Sequence, residues 1–598
     1  MRKKLCMIVL VSFLMLAFLL MITKKSTSEA WVQTSGPYGG YVHCFAIEGT
    51  HIYAGTEGGG IFMSSDNGTN WREVNLGLIS KNVYALAISG TTIYAGTNGG
   101  VFVSDINDIS WNSVDSALTN TIVLSLAVNN KTIYAGTSSG IFCSLDNGTS
   151  WQTANRGLTS INVNSLAVSG ENIYAGTEDG GVFLSNDNGT NWSQINSGLT
   201  MMQINTIAVS GTNIYAGTYG GGMFLSIDGG ASWEAINTGL TSKEIYSLAI
   251  SGSYIFAGTE KGIFLSSNNG ESWKSVNSGL TNQFIYALIV HDSKVYAGTN
   301  GGGVFLSSDN GASWNTANTG LSNTHISSFA INETTIYAGS NGAGVFISDD
   351  NGTSWREANT GLTNPYIFSL AISGSNIYAG TNGGGIFLSS DSGASWKEVN
   401  AGLTNHNIYS LAVSGTNLFA GTFGGGVFVS DDQGNNWREV NDGLKNLNIG
   451  SLAVSGTNLF AGTFGGGVFL TSDNGISWDA VNNGLSNTQI FSLAASDTLV
   501  IAATPGDGVF LSNNDGTGWR SVNSGLTNTN IDVLALREST ILAGTYGGGL
   551  FLSTDNAKSW NEVGLGLENL DVYSICISDN NVFAGTSGRG VWKWKLPK

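Results

Sequence analysis

Residues Asn376 to Trp396 read NIYAGTNGGGIFLSSDSGASW, and nearly everything from Trp31 onward is a variation on this stretch. Its first part alternates with period two: Ile377, Ala379 and Thr381 fall on one face, Tyr378 and Gly380 on the other. A Gly-rich turn follows, then Ile386 to Ser389 reads as a second strand bounded by Asp, Ser and Gly. The tail S-x-D-x-G-x-x-W, here Ser389, Asp391, Gly393 and Trp396, predicts a turn. A short acceptor side chain can bond the turn backbone, Gly takes a positive φ, and the Trp ring fills a large apolar site.

The Ala of the A-G-[TS] element recurs at Ala54, Ala95, Ala135, Ala175, Ala216, Ala257, Ala297, Ala338, Ala379, Ala420, Ala461, Ala502, Ala543 and Ala584, fourteen times at a spacing of 40 or 41 residues. Each unit carries four strand signals, in the tenth Ile408–Ser414, Leu418–Thr422, Val427–Ser430 and Trp437–Asn441. Four antiparallel strands in about 41 residues predict an all-β fold of propeller blades. A parallel β-helix is the alternative, but its coils would not need a tight hairpin at every strand end. Fourteen blades exceed one ring, so two tandem seven-bladed discs are expected, roughly 31–315 and 316–598. Trp31 to Gly36 resembles a lone fourth strand, while the last repeat stops at a third strand, Val591 to Trp594. The first fragment can therefore complete the last blade and close one ring.

The chain is acidic, with 42 Asp and Glu against 24 Lys and Arg, and rich in Gly (84). Its first thirty residues differ in kind. Arg2, Lys3 and Lys4 precede an apolar run from Leu5 to Ile22, and Ser28-Glu29-Ala30 offers small residues for cleavage, so 1–30 reads as an export signal or an uncleaved membrane anchor. Without that segment the balance is more negative still. Such a charge argues against nucleic acid and anionic membrane surfaces as partners, leaving the N-terminal segment as the one route to a membrane. Cys44, Cys143 and Cys576 fill strand slots and predict buried thiols rather than a disulfide framework. His43, His51, His291, His325 and His406 are scattered, and no helix follows the G-G-G runs, so neither a metal nor a nucleotide cofactor is expected.

The thirteen turns resemble Asp-boxes (BNR repeats), the turns of sialidase-type and sortilin-type propellers. They comprise Asp66 with Trp71, Asp146 with Trp151, Asp187 with Trp192, Asp228 with Trp233, Asp309 with Trp314, Asp350 with Trp355, Asp391 with Trp396, Asp432 with Trp437, Asp473 with Trp478 and Asp555 with Trp560. The departures lie before Trp111, where Ile106 and Asp108 stand for Asp and Gly, at Asn268 and Asn514, and at Ala557 in place of Gly. The resemblance implies a structural role for these carboxylates. A sialidase is not expected: no Arg-Ile-Pro motif occurs, and Arg72, Arg356, Arg438 and Arg520 each follow a turn Trp on an outermost strand. The tandem seven-bladed xyloglucan-cleaving glycosidases are also similar, and that likeness implies two catalytic Asp residues in a cleft between discs. Asp507 and Asp532, on adjacent connections, are the candidate pair. Photosystem assembly-factor propellers resemble the repeats too, but they are single discs with a basic patch.

Variation concentrates on the edge opposite the Asp turns, at the residue after A-G-[TS]. Aromatic rings stand there at Tyr219, Phe423, Phe464 and Tyr546, flanked by Gly, and are the ligand-binding candidates. Flat rings among Asn side chains such as Asn382, Asn407 and Asn448 suit the C–H faces and hydroxyls of a sugar chain. Regular repeats without insertions lead to the expectation of an exported, non-catalytic binding or scaffold propeller for a neutral polysaccharide or a protein partner, with a glycosidase of the xyloglucanase kind as the alternative.

Overall fold

The computed structural model describes residues 31–34, 39–114, 116–129, 131–319, 322–496, 499–567, 569–578 and 580–596; the expected export segment, 1–30, lies outside them. Fourteen four-stranded antiparallel sheets follow one another along the chain, numbered here as blades 1 to 14. Blades 1 to 7 run from Val42 to Thr316, and blades 8 to 14 from Ile326 to Lys595. The first strand of blade 7 packs on that of blade 1, and the first strand of blade 14 on that of blade 8, so each set of seven closes into a disc. Among the described residues no helix is long and apolar enough to cross a membrane.

Val32–Gln33 pairs with the strand Val591–Lys595 as the fourth strand of blade 14. Trp31 stacks on Trp594 at 5.7 Å and donates its indole N–H to the Val563 carbonyl at 2.6 Å. Disc 2 is thus closed by the N-terminal fragment, whereas all four strands of each disc 1 blade come from consecutive chain.

The repeated turn behaves as a closed hydrogen-bond unit. Ser389 Oγ donates to Asp391 Oδ1 (2.8 Å) and accepts from the Gly393 amide (2.8 Å), while Asp391 also accepts from the amide and hydroxyl of Ser395 (2.9 and 2.6 Å). Ser392 and Gly393 both take positive φ, 57° and 85°, and Ala557 holds the corresponding position in its turn at 60°, a conformation Gly adopts without strain. The Trp reaches beyond its own blade. Trp396 donates its backbone N–H to Thr360 O (2.8 Å) and its indole N–H to Ala358 O (2.7 Å), both in the strand end leaving blade 8, and its ring lies among side chains of blades 8 and 9.

That diversion explains why the fourth strand is shorter than its sequence pattern. Trp437 to Asn441 reads as a strand of five, but only Arg438–Glu439 pairs in full, because Trp437 N–H goes to Ala401 of the preceding blade and Asn441 Oδ1 takes the Val427 amide in place of a backbone carbonyl.

The first strands surround each disc's axis. All but that of blade 12 carry a bulge at their second residue, such as Tyr409 between Ile408 and Ser410. A bulge re-aims its side chain, and in disc 1 all seven bulge residues line the axial mouth. The following Ser works between blades: Ser410 Oγ accepts the Leu452 amide of blade 11 at 2.9 Å.

Candidate functional site

The tips joining second and third strands lie on one face of each disc, and these faces meet. The two chain segments connecting the discs run side by side, Gly39–Gly40 pairing in parallel with Ser322–Asn323. Gly40 also exchanges bonds with Gly301 O and Gly303 N in blade 7 (3.0 and 2.8 Å). On one flank Asn282 Nδ2 donates to Gly342 O of disc 2 at 2.7 Å. On the other, Arg589 of blade 14, 2% exposed, grips Glu73 of blade 1 through two bonds of 2.6 and 3.0 Å. The glycine pair Gly58 and Gly588 permits close approach there: a Cβ on Gly588 would stand 2.6 Å from Glu57 O. A groove opens from this seam, with a cavity of about 750 Å³ between blades 1 and 2 and blades 13 and 14, walled by Glu57, Lys81, Asn98, Tyr546, Asp571 and Tyr573 among others. A second cavity of about 510 Å³ lies between Phe284 and Tyr366 on the opposite flank.

Two carboxylates of unlike character, Glu57 and Asp571, wall the first cavity, and a third, Asp532, lies close enough to Asp571 to feel its charge. Glu57, on the tip of blade 1, takes a hydrogen bond from His43 Nε2 at 3.2 Å, which holds it below the usual carboxylate range against the effect of burial. Asp532 is the bulge residue of blade 13. Burial, reinforced by the charge of Asp571, pushes it up to about 6. Asp571, leading into blade 14, is also raised by burial, with the Gly547 amide opposing. Tyr573, the bulge residue of blade 14, sits within the field of all three; burial first, then these carboxylates, keeps its hydroxyl protonated. Its ring packs against His325 at 4.7 Å, and burial lowers His325 to about 4, so that imidazole is neutral.

The carboxylate that neighbours Asp532 is therefore Asp571 and not the expected Asp507, which accepts from Ser486 Oγ at 2.8 Å on the tip of blade 12. Tyr546, 57% exposed, lines the groove beside Asp571. Phe423 and Phe464 lie 6.1 Å apart in an aromatic cluster with Phe368, Tyr409 and Phe491 at the mouth of disc 2. Blade 11 has Gly450 at its bulge, and the Phe464 ring leans into the space a side chain would take, 2.9 Å from an added Cβ. Tyr219 stands on disc 1 instead, its backbone bridged to Glu244. Asn382 and Asn407 bridge each other the same way, as do Phe423 and Asn448, so those Asn backbones tie each tip to the next connection. Glu57 and Asp571 are the residues that sequence reasoning passes over. Glu57 is one of fourteen variable tips and Asp571 occupies a connection position filled elsewhere by Asn407 or Gln489.

Residues 105–244 match the family described as DUF6242 beta propeller domain. No curated protein matches the chain in sequence. Among solved structures, an ancestral GH74 enzyme is similar over 95% of this chain and 99% of its own, with a TM-score of 0.66 at 18% identity. The GH74 xyloglucanase from Xanthomonas campestris covers 95% and 100%, with a TM-score of 0.62 at 16% identity. PorZ, a surface component of the type-IX secretion system of Porphyromonas gingivalis, covers 95% and 87%, with a TM-score of 0.57 at 14% identity. These identities speak to the fold. The expectation that this chain is not an enzyme is corrected to this extent: glycoside hydrolases as well as PorZ share its tandem propeller over nearly the full length, so the fold does not exclude hydrolysis. That expectation rested on the lack of loop insertions to build a cleft. Here the facing of two discs builds one without them.

Proposed function

We propose that this protein is an exported glycoside hydrolase that holds a neutral polysaccharide in the groove between its discs and cleaves one glycosidic bond there. The observation that supports it is the split in character between a carboxylate of the groove and one behind it, with Glu57 held low and Asp532, beside the groove residue Asp571, pushed up to about 6. Environments that drive two acids apart make one a proton donor and the other a base at the same pH. Asp532 donates its proton to the departing glycosidic oxygen, Asp571 keeps that proton in place by its charge, and Glu57 takes a proton from the water that attacks the anomeric carbon. The bond from anomeric carbon to glycosidic oxygen breaks as the bond to water oxygen forms. Tyr546, and further along disc 2 Phe423 and Phe464, offer flat faces for successive sugar rings, and the acidic surface disfavours an acidic glycan. Export is supported by the Lys-flanked apolar N-terminal run, and the Ser-Asp-Gly-Trp turns are read as Asp-boxes with a structural role.

The test is release of reducing ends from a panel of neutral plant and bacterial polysaccharides. Turnover by the wild type and a loss of at least about a hundredfold in Asp532→Asn and in Glu57→Gln, the scale of lost acid or base catalysis, is expected. Binding of a panel member with no product, or turnover that survives both substitutions, would overturn the assignment.

A further inference from the structure

The mouth of disc 1 holds a cavity of its own, about 250 Å³, lined by the bulge residues of its first strands. Blades 1, 2, 6 and 7 supply an arc of rings: His43 to Tyr84 at 5.3 Å between centroids, His43 to Tyr286 at 4.9 Å, and Tyr286 to Tyr246 at 6.0 Å. The facing side is polar, with Asn164 and Asn205 from blades 4 and 5 and Glu178 from the tip of blade 4.

The hydrogen bonds of that polar side decide what it can recognise. Asn164 spends its amide hydrogens on Glu178 Oε2 and Ile204 O (2.9 and 3.2 Å), Asn205 Nδ2 donates to Ile245 O (3.0 Å), and Gln203 Nε2 donates to Glu178 Oε1 (2.8 Å). Asn164 has both amide hydrogens engaged inside the protein and Asn205 one of its two, so the polar side of the cavity is weighted toward amide and carboxylate oxygen, that is, toward acceptors. A sugar ring asks for donors as well as acceptors. An alkylammonium group asks for π faces and negative oxygen, which are what this mouth presents. The net charge of −18 draws cations toward it.

The geometry points to a binding site for a small alkylammonium ligand at the mouth of disc 1, with the rings of Tyr84, Tyr246 and Tyr286 cradling the cationic head and Glu178 balancing its charge. The site takes its charge from Glu178 and involves neither Asp532 nor Asp571, but it adjoins the groove through the bond between its ring His43 and Glu57.

Calorimetric titration of the full chain with choline, with its uncharged carbon isostere 3,3-dimethylbutan-1-ol and with glucose tests it. Choline should bind at least about tenfold more tightly than either neutral compound, and added salt should weaken it. Glu178→Gln, which keeps shape and removes charge, should weaken choline about fivefold or more, and Tyr286→Leu about tenfold or more. The wild-type comparison and Glu178→Gln decide the matter even where Tyr286→Leu folds poorly. Glucose or the isostere binding as tightly as choline, no choline heat at millimolar concentration, or unchanged binding in Glu178→Gln would overturn the proposal.

Discussion

At the residue scale, two kinds of carboxylate in this protein respond to pH in opposite senses. Asp146, Asp187, Asp228, Asp309, Asp350, Asp391, Asp473 and Asp555 are each held at about 2 by hydrogen bonds, chiefly from the residue just before the turn Trp, or in Asp473 from Thr471. Their folded-state values are depressed, so their stabilisation is present above the ordinary value near 4 and is lost as pH falls from about 4 to about 2. Asp532 is the reverse. Its folded value of about 6 is raised, so the folded state holds the proton more tightly and its contribution falls as pH rises from about 4 to about 6. His325, lowered to about 4, opposes that trend over much of the same window, since its neutral folded form gains as the unfolded imidazole loses its proton. The clean measurement is therefore a difference. Melting temperatures of Asp532→Asn and wild type should diverge between pH 4 and pH 6 in favour of the variant and keep a constant gap above. A gap independent of pH would show that Asp532 ionises as an ordinary surface carboxylate.

At the scale of the blade, local sequence told most of the story and long-range packing the rest. The strands, the turn and the fourteenfold count are legible because each repeat states them in its own residues, as Asn376 to Trp396 does. What the repeat cannot state is which blade a side chain serves. Trp396 reads as a ring that fills an apolar site, yet both its N–H groups bond the blade before it, and Ser410 accepts a bond from the blade after. Glu57 and Asp571 were harder still, since they are 514 positions apart in a numbering where nothing marks them as neighbours, and only the facing of the discs brings them to one cavity. The Trp role yields a test at this scale. Trp396, 5% exposed, should cost about 3–5 kcal/mol on replacement by Ala, the range for emptying a buried aromatic site. Because the ring is shared, proteolytic nicking should rise in blade 8 near Ala358 as well as in the turn Ser389 to Trp396. Damage confined to blade 9 would show that the staple between blades carries no energy.

At the scale of the whole molecule, the discs differ in how they are closed, and that asymmetry sets where the molecule is weakest. Disc 1 closes without a shared strand: Tyr296 and Val304 of blade 7 meet Ile52 and Phe62 of blade 1, and the Trp71 indole bonds Ala317 O at 2.8 Å. Disc 2 closes through a fragment from the other end of the chain, since Trp31 fills the Trp position of blade 14 and Thr34 Oγ1 receives the Trp355 indole at 3.2 Å. The segment that closes disc 2 continues directly into the Gly39–Gly40 ladder at the seam, so ring closure and the groove share one piece of backbone. Trp31→Ala removes a ring that is 4% exposed and stacked on Trp594, a loss of about 3–5 kcal/mol borne by disc 2. Hydrogen exchange should then show faster exchange in blades 8, 13 and 14, around Trp355, Val563 and Val591, while blades 3 to 5 of disc 1 keep their protection. The groove should loosen with it, because Arg589 sits on the tip of the same blade and holds Glu73. Uniform loss of protection across both discs would mean that they unfold as one cooperative unit, and that the N-terminal strand stabilises the pair instead of the ring it completes.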